Sequence, residues 1–361
     1  MRRNFLRALA TVLPALMFCS GSARGDEASS YYAGSSEGRY LSVADSKTVT
    51  NDAAAENSGC GCTTSCCDDD CCDDCCDDLD AFCDDCPRST SIWFTNFESW
   101  RGRPDGTYQN NDGIRSGFNY GALAGDSRVG FQAGGSYGAY DFMGRSPGFE
   151  NDSVQEQLFF TTGLFVHADC DSPWSAGLVY DMMVNDNFSV FSNEPYLTQW
   201  RGQIGYATSA WNEFGVWGTA RDRGDSQTIA GTAIRYRAVQ QYNFFWHHKW
   251  PSCVDSYIWT GVLDTSDDLS AGNGLGEFTI GGAIIAPISD SWAITGDLQY
   301  LKPSASAGAG GPAENSFFVS FGLSYYPRCN ARTRTVAGGC SHPLLGVANN
   351  GSFLVDSNLS L

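Results

Sequence analysis

Phe317-Phe-Val-Ser-Phe-Gly-Leu-Ser-Tyr-Tyr326 separates two kinds of residue by parity. Phe317, Val319, Phe321, Leu323 and Tyr325 hold one set of alternate positions, and Ser320, Gly322 and Ser324 hold the other. Alternate side chains of an extended chain point to opposite faces. The segment therefore reads as a β-strand with one apolar, aromatic face and one small, polar face.

The same parity recurs upstream. Trp292, Ile294, Gly296, Leu298 and Tyr300 oppose Ala293, Thr295, Asp297 and Gln299. Phe131, Ala133, Gly135 and Tyr137 oppose Gln132, Gly134 and Ser136, while Ala176, Leu178, Tyr180 and Met182 oppose Ser175, Gly177, Val179 and Asp181. Strands are expected to begin near Ile92, Gly113, Arg128, Val154, Trp174, Tyr196, Trp211, Ile229, Asp255, Leu275, Ser291 and Asn315, about twelve in all. With 41 glycines and few stretches of helical period, the chain is expected to be all-β.

A soluble barrel or sandwich turns the apolar set inward, whereas a membrane barrel turns it toward lipid. Alternation alone does not separate them, but the connections do. Short turns such as Gly125-Asp-Ser, Ser209-Ala and Ser289-Asp follow even strands. Longer Gly/Asn/Asp/Pro-rich loops, at 102–112, 141–153, 185–195, 265–273 and 303–314, follow most odd ones. The seventh connection, at Arg221–Ser226, breaks the rule by being short. Trp93, Trp174, Trp211, Trp259, Trp292, Trp246, Trp250, Tyr325 and Tyr326 fall toward the short-turn rim. Trp100, Tyr140, Tyr196, Trp200 and Tyr300 fall toward the other. Two aromatic girdles suit the two lipid–water boundaries. The fold expected is an antiparallel up-and-down transmembrane β-barrel of about twelve strands over residues 91–327.

From Ile92 to Tyr326 this pattern resembles bacterial outer-membrane β-barrel proteins of the porin-like kind. Together with the exported, cysteine-rich prelude it also resembles an uncharacterised family of planctomycete exported proteins. The resemblance implies an outer-membrane location, contact with its lipid, and a role as small-solute channel or structural membrane protein. One departure stands out. Such barrels usually end on an aromatic residue, whereas here residues 328–361 follow the last strand as a tail.

The N-terminus supports export. Arg2, Arg3 and Arg7 precede the apolar run Ala8–Phe18 and a small-residue stretch, as in a secretory signal peptide over 1–25. Residues 26–90 are weakly apolar and expected to be disordered. Within them, 60–86 hold ten cysteines, ten aspartates and no basic residue. Cys72, Cys75, Cys83 and Cys86 have the local spacing of soft-metal ligands. In an oxidising compartment intra- or intermolecular disulfides compete with that reading, and dense aspartates disfavour thiolates. The other class of function follows from this arm: a soluble exported β-protein that binds metal or is crosslinked into the envelope. The formal charge of −19 argues against nucleic acid as a partner.

Four further cysteines, Cys170, Cys253, Cys329 and Cys340, are expected on the short-turn rim and could pair. On the polar face Arg115, Arg201, Arg235 and Arg237 are expected in the lumen, with Glu98, Asp181, Glu213 and Asp297 as partners. They would either set ion preference or fill a narrow barrel with salt bridges. His167, His247, His248 and His342 fit no catalytic motif, although Ser256 follows His247 closely. No enzymatic activity and no cofactor is expected beyond a metal at the cysteine arm. The acidic loop Asp264–Gly274 departs from the order of a calcium-binding hand.

Overall fold

The computed structural model describes residues 88–101, 111–264, 278–302, 316–327, 331–332 and 341–357, apart from 126, 142–144, 147–148, 151–153, 170–171, 189–191 and 230. The alternating segments are strands: β1 (Ser89–Arg101), β2 (Asn111–Leu123), β3 (Val129–Tyr140), β4 (Arg145–Ser146), β5 (Phe149–Glu150), β6 (Gln155–Val166), β7 (Trp174–Asp186), β8 (Tyr196–Ser209) and β9 (Asn212–Arg223). They continue as β10 (Asp225–Ile229), β11 (Thr232–Ala238), β12 (Gln241–Lys249), β13 (Asp255–Leu263), β14 (Phe278–Pro287), β15 (Trp292–Lys302), β16 (Ser316–Tyr325) and β17 (Val355–Ser357).

Twelve of these close into an antiparallel barrel in the order β1-β2-β3-β6-β7-β8-β9-β12-β13-β14-β15-β16. The seam is β1 on β16, in register from Trp93↔Tyr325 to Arg101↔Phe317. Closure leaves no open strand edge, so the wall's backbone groups pair with one another, apart from two register shifts between β8 and β9, as a bilayer demands. The wall strands are long enough to cross the hydrocarbon layer, for which about 9–11 tilted residues suffice.

Parity sets what each face meets. Outward residues are large and apolar and remain exposed: Phe97 66%, Ile204 53%, Ile258 53% and Phe321 58%. A continuous exposed belt of this kind is a lipid-contacting surface, not a soluble one. The chain is an outer-membrane-type barrel, and the soluble β-protein reading falls with that belt. Trp174 packs on Tyr206 (5.0 Å) and Trp292 on Tyr325 (4.8 Å) at the short-turn rim, while Tyr180 and Trp200 (4.9 Å) meet toward the other.

Four aromatics depart from the expected girdles, and Tyr326, just past β16, is one of them: it is buried in a cluster with Ile92 and Ala293. Trp100 and Tyr140 are buried inside the barrel near the long-loop rim. Trp259 occupies an inward position on β13, where its ring packs edge-on against Trp217, 5.9 Å away. Their parity places them on the polar face, and parity outranks rim position.

A second correction concerns the strand expected from Ile229. Residues 225–238 do form strands, but β10 and β11 pair with each other and with β17, outside the wall. The eighth wall strand is β12. The seventh connection is therefore long, and the alternation of short turns with long loops becomes regular.

After β16 the chain turns under the short-turn rim, where the Ala331 amide donates to the Asp290 carbonyl (2.7 Å). Residues 341–357 then run through the lumen from one rim to the other. The Ser341 hydroxyl meets that of Thr90 (2.8 Å) at the start of β1. At the far end β17 pairs with β11, Ala238↔Val355 to Tyr236↔Ser357, at the long-loop rim. The main buried apolar cluster joins this tail (Val347, Ala348, Phe353, Val355) to Phe159, Met183, Leu197, Phe188 and Tyr236.

Candidate functional site in the barrel lumen

A tail that lies in a barrel without joining its sheet has backbone groups that need partners. Lumenal side chains supply them. Gln132 clamps one residue from both sides: its Nε2 donates to the Leu345 carbonyl (2.8 Å), and its Oε1 accepts from the Leu345 amide (3.2 Å). Asn119 Nδ2 donates to the same carbonyl (3.0 Å). The Ala348 amide donates to Thr161 Oγ1 (3.0 Å), Asn350 Nδ2 to Gln157 Oε1 (2.8 Å), and Gln199 Nε2 to the Ser352 carbonyl (3.2 Å). At the two rims the His342 carbonyl meets His167 Nε2 (2.7 Å) and the Leu354 carbonyl accepts from the Val239 amide (2.9 Å). A primary amide both donates and accepts, so it can stand in for a partner strand. Gly134 makes room for this approach: a Cβ there would lie 2.5 Å from Val347 Cγ2.

Two ion pairs sit deep in the lumen. Arg115 Nε meets Glu98 Oε1 at 2.6 Å, and the other Glu98 oxygen accepts from the Tyr140 hydroxyl (2.6 Å). Arg201 forks onto Asp181 through Nε (3.0 Å) and Nη2 (3.1 Å), while the same Nη2 donates to the Gly346 carbonyl (2.6 Å). Asp181 also accepts from Thr161 (2.7 Å). This network therefore ties the wall to the tail through Arg201 and Thr161 together. Bidentate Arg–carboxylate geometry with every oxygen engaged is the form in which a buried pair offsets its desolvation.

Arg237 bonds Asp356 of the tail (3.2 Å) at the long-loop rim. Arg235 is not a lumenal residue: it is exposed on β11, which lies outside the wall. Asp297 points inward from β15. Of the four rim cysteines, only Cys253 is described, at the β12–β13 turn with φ 60°. Cys170, Cys329 and Cys340, the N-terminal segment with Cys72, Cys75, Cys83 and Cys86, and loop residues 265–274 lie outside the described residues.

The histidines separate by face. His247 is buried in the lumen between Glu213 (Nδ1, 3.1 Å) and Asp255 (Nε2, 3.1 Å), stacked on Tyr257 at 3.9 Å. Ser175 donates to Glu213 behind it. Ser256 faces the other side, where it donates to the His248 carbonyl (3.2 Å) and accepts from Trp250 Nε1 (3.0 Å). No Ser–His nucleophile pair forms from these residues.

Beside the tail, a slot of about 280 Å³ remains. Its outer wall is built by Trp217, Phe245, Tyr257, Trp259 and Ile285, and its inner wall includes Leu344 and Leu345 of the tail. Arg115, Arg201 and Asp297 also reach it. The sequence carried one signal for the tail's place: amides at inward positions of several strands, opposite a tail whose Leu344, Leu345, Val347, Phe353 and Leu354 are too apolar for a solvated end.

Comparison with known proteins gives fold-level likeness at low identity. A membrane protein from a study of in-meso crystallization shares 13% identity, covering 74% of this chain and 99% of its own, with a TM-score of 0.42. A Pseudomonas aeruginosa FadL homologue gives 9% identity, 66% and 90% coverage, and a TM-score of 0.40. The KdgM porin gives 9%, 65% and 98%, and 0.34. No curated protein matches. Residues 93–355, from Trp93 within β1 to Val355 at the start of β17, match one family model, so that barrel and tail together place the chain in the family of unknown function DUF6666.

Proposed function

We propose that this chain is a small-solute channel of the outer membrane, held closed by its own segment 341–357. The observation that carries the reading is the path of that segment, which crosses the lumen and is held largely by side-chain hydrogen bonds, not by membership of the wall sheet. A wall closed on itself does not need the tail for its backbone pairing, so the tail can leave without opening the barrel. Two charge pairs that it leaves behind deep in the lumen, Arg201 with Asp181 and Arg115 with Glu98, are already closed within the wall. They would line a wet, polar passage.

Planar-bilayer recording tests this. The full chain is expected to conduct weakly, and a variant lacking residues 341–361 to give defined steps at least about tenfold larger. Heat-modifiable migration on gels would show that the shortened barrel has folded. A folded, shortened barrel with no added conductance would end the channel reading and leave a structural membrane protein.

A further inference from the structure

We infer that the slot beside the tail is a binding site for a small organic ammonium ion carrying an aromatic or alkyl group. It is occupied with the tail in place, so the inference goes beyond the gating reading and does not require the tail to move.

Size comes first. A dry cavity of about 150 Å³ holds a benzene ring, so a slot of about 280 Å³ takes one ring with a short side chain. The wall comes next. Trp217 and Trp259 stand 5.9 Å apart, close to perpendicular, with Phe245 and Tyr257 beside them. Aromatic faces carry the negative side of the ring quadrupole and attract cations, tryptophan most of all.

Charge then selects the sign. Two ionic groups other than Asp297 line the slot, Arg201 and Arg115, and each has its counter-charge. Arg201 is forked onto Asp181, and Arg115 is bound to Glu98, so each pair sums to zero. Arg115 and Glu98 also act on Asp297 with opposite sign, Arg115 the more strongly, and the three together carry one negative charge. Behind Tyr257 and outside the slot's lining, His247 lies between two carboxylates, a group whose charges sum to a negative value even with the imidazole protonated. Among the groups that line the slot, that leaves Asp297 as the carboxylate in excess. Among the described residues it makes no ion pair or hydrogen bond, and it lines the slot directly. An ammonium group would give it one, while the attached ring packs on the indoles. An anion would meet Asp297 with no unpaired cation to offset it.

Isothermal titration of the full chain in a zwitterionic detergent, with benzylammonium, benzyl alcohol and benzoate as probes, decides the matter. Benzylammonium is expected to bind at least about tenfold more tightly than benzoate, with benzyl alcohol between them. Asp297→Asn should remove about tenfold of the benzylammonium affinity and leave benzyl alcohol unchanged, an outcome that partition into micelles would not produce. Ala283→Leu, beside Asp297 across the β14–β15 pair, should fill the slot and abolish binding of both. Equal binding of benzoate, or an unchanged Asp297→Asn, would overturn the inference. The three-probe ranking on the unaltered chain stands even if a variant fails to fold. Binding is read without current, so a barrel that binds but never conducts would end the channel reading and leave this one intact.

Discussion

Strands β2, β3, β6 and β8 face the lumen with Asn119, Gln132, Gln157, Thr161 and Gln199, whereas β13, β14 and β15 face it with Trp259, Ala283, Ile285 and Asp297. The first half of the wall holds the tail by its backbone, whereas the second meets it through apolar side chains, Leu263 and Leu301 with Leu354, and otherwise faces it across the slot. Both halves turn equally apolar residues outward, Ile204 on one side and Ile284 on the other. Period-two geometry allows this independence: one strand can meet lipid on one face while its other face is composed for another task. The tail lies against the half that can satisfy unpaired N–H and C=O groups. Aromatic and small side chains could not do so, and a buried unpaired group costs about 1–3 kcal/mol.

The sharpest way to break the comparison is to remove the tie that joins wall and tail. Arg201→Ala strips the partner from Asp181, buried at 0% exposure, and removes a bond to the Gly346 carbonyl. Losing one member of a buried pair costs about 3–5 kcal/mol. Denaturant unfolding from lipid vesicles should show a loss of that size. Asp297→Asn, on the slot half, removes a charge with no partner and should show no loss. Equal effects would erase the distinction between the halves.

The next test confines the difference to the lumen. Ile204→Arg and Ile284→Arg each place a cation on the lipid face, at about 2–4 kcal/mol near the midplane and less toward the rims. The two costs should agree to within about 1 kcal/mol in the same unfolding measurement. A large penalty on one half alone would mean that something other than lipid covers the outside there.

Much of the barrel was legible because its physics is local. Phe321 and Leu323 against Ser320 and Ser324 announce which face meets lipid, and short turns against long loops announce which rim is which. Ile229–Ala238 misled because it alternates as a strand and is one; only pairing in space assigns it to β17 and not to the wall. That misplacement carried Arg235 and Arg237 into an expected lumen with it. Trp100, Tyr140, Trp259 and Tyr326 were drawn to the girdles by their position along the strand, although their parity already pointed inward. Composition hinted that the tail is buried, but its path was illegible for a different reason. Ser341–Ser357 has no alternation to read, since most of its backbone partners are side chains far away in sequence, such as Gln132 and Thr161. The slot's excess charge at Asp297 is likewise a sum over several strands and the pairs they make, which no single stretch displays.

The finest test applies one substitution to both halves. Thr161 and Thr295 both face inward from wall strands, and valine replaces either with little change of shape. Thr161 Oγ1 accepts from the Ala348 amide at 3.0 Å and donates to Asp181 at 2.7 Å, at 1% exposure. Thr161→Val therefore leaves a buried tail N–H without its acceptor and a buried carboxylate short of one donor. About 1–3 kcal/mol is expected from the unpaired amide alone. Among the described residues Thr295 Oγ1 reaches only Asn96 Oδ1, at a long 3.4 Å, and it lines the slot where water can replace it. Thr295→Val should stay within about 0.5 kcal/mol, the range of substitutions that orphan nothing. Unfolding midpoints measured side by side read the difference, and backbone hydrogen exchange locates it. Thr161→Val should speed exchange at Ala348 and its tail neighbours, whereas Thr295→Val should leave the tail protected. If both variants loosened the tail alike, its hold would come from filling the lumen as a whole, and not from the hydrogen bonds of one half of the wall.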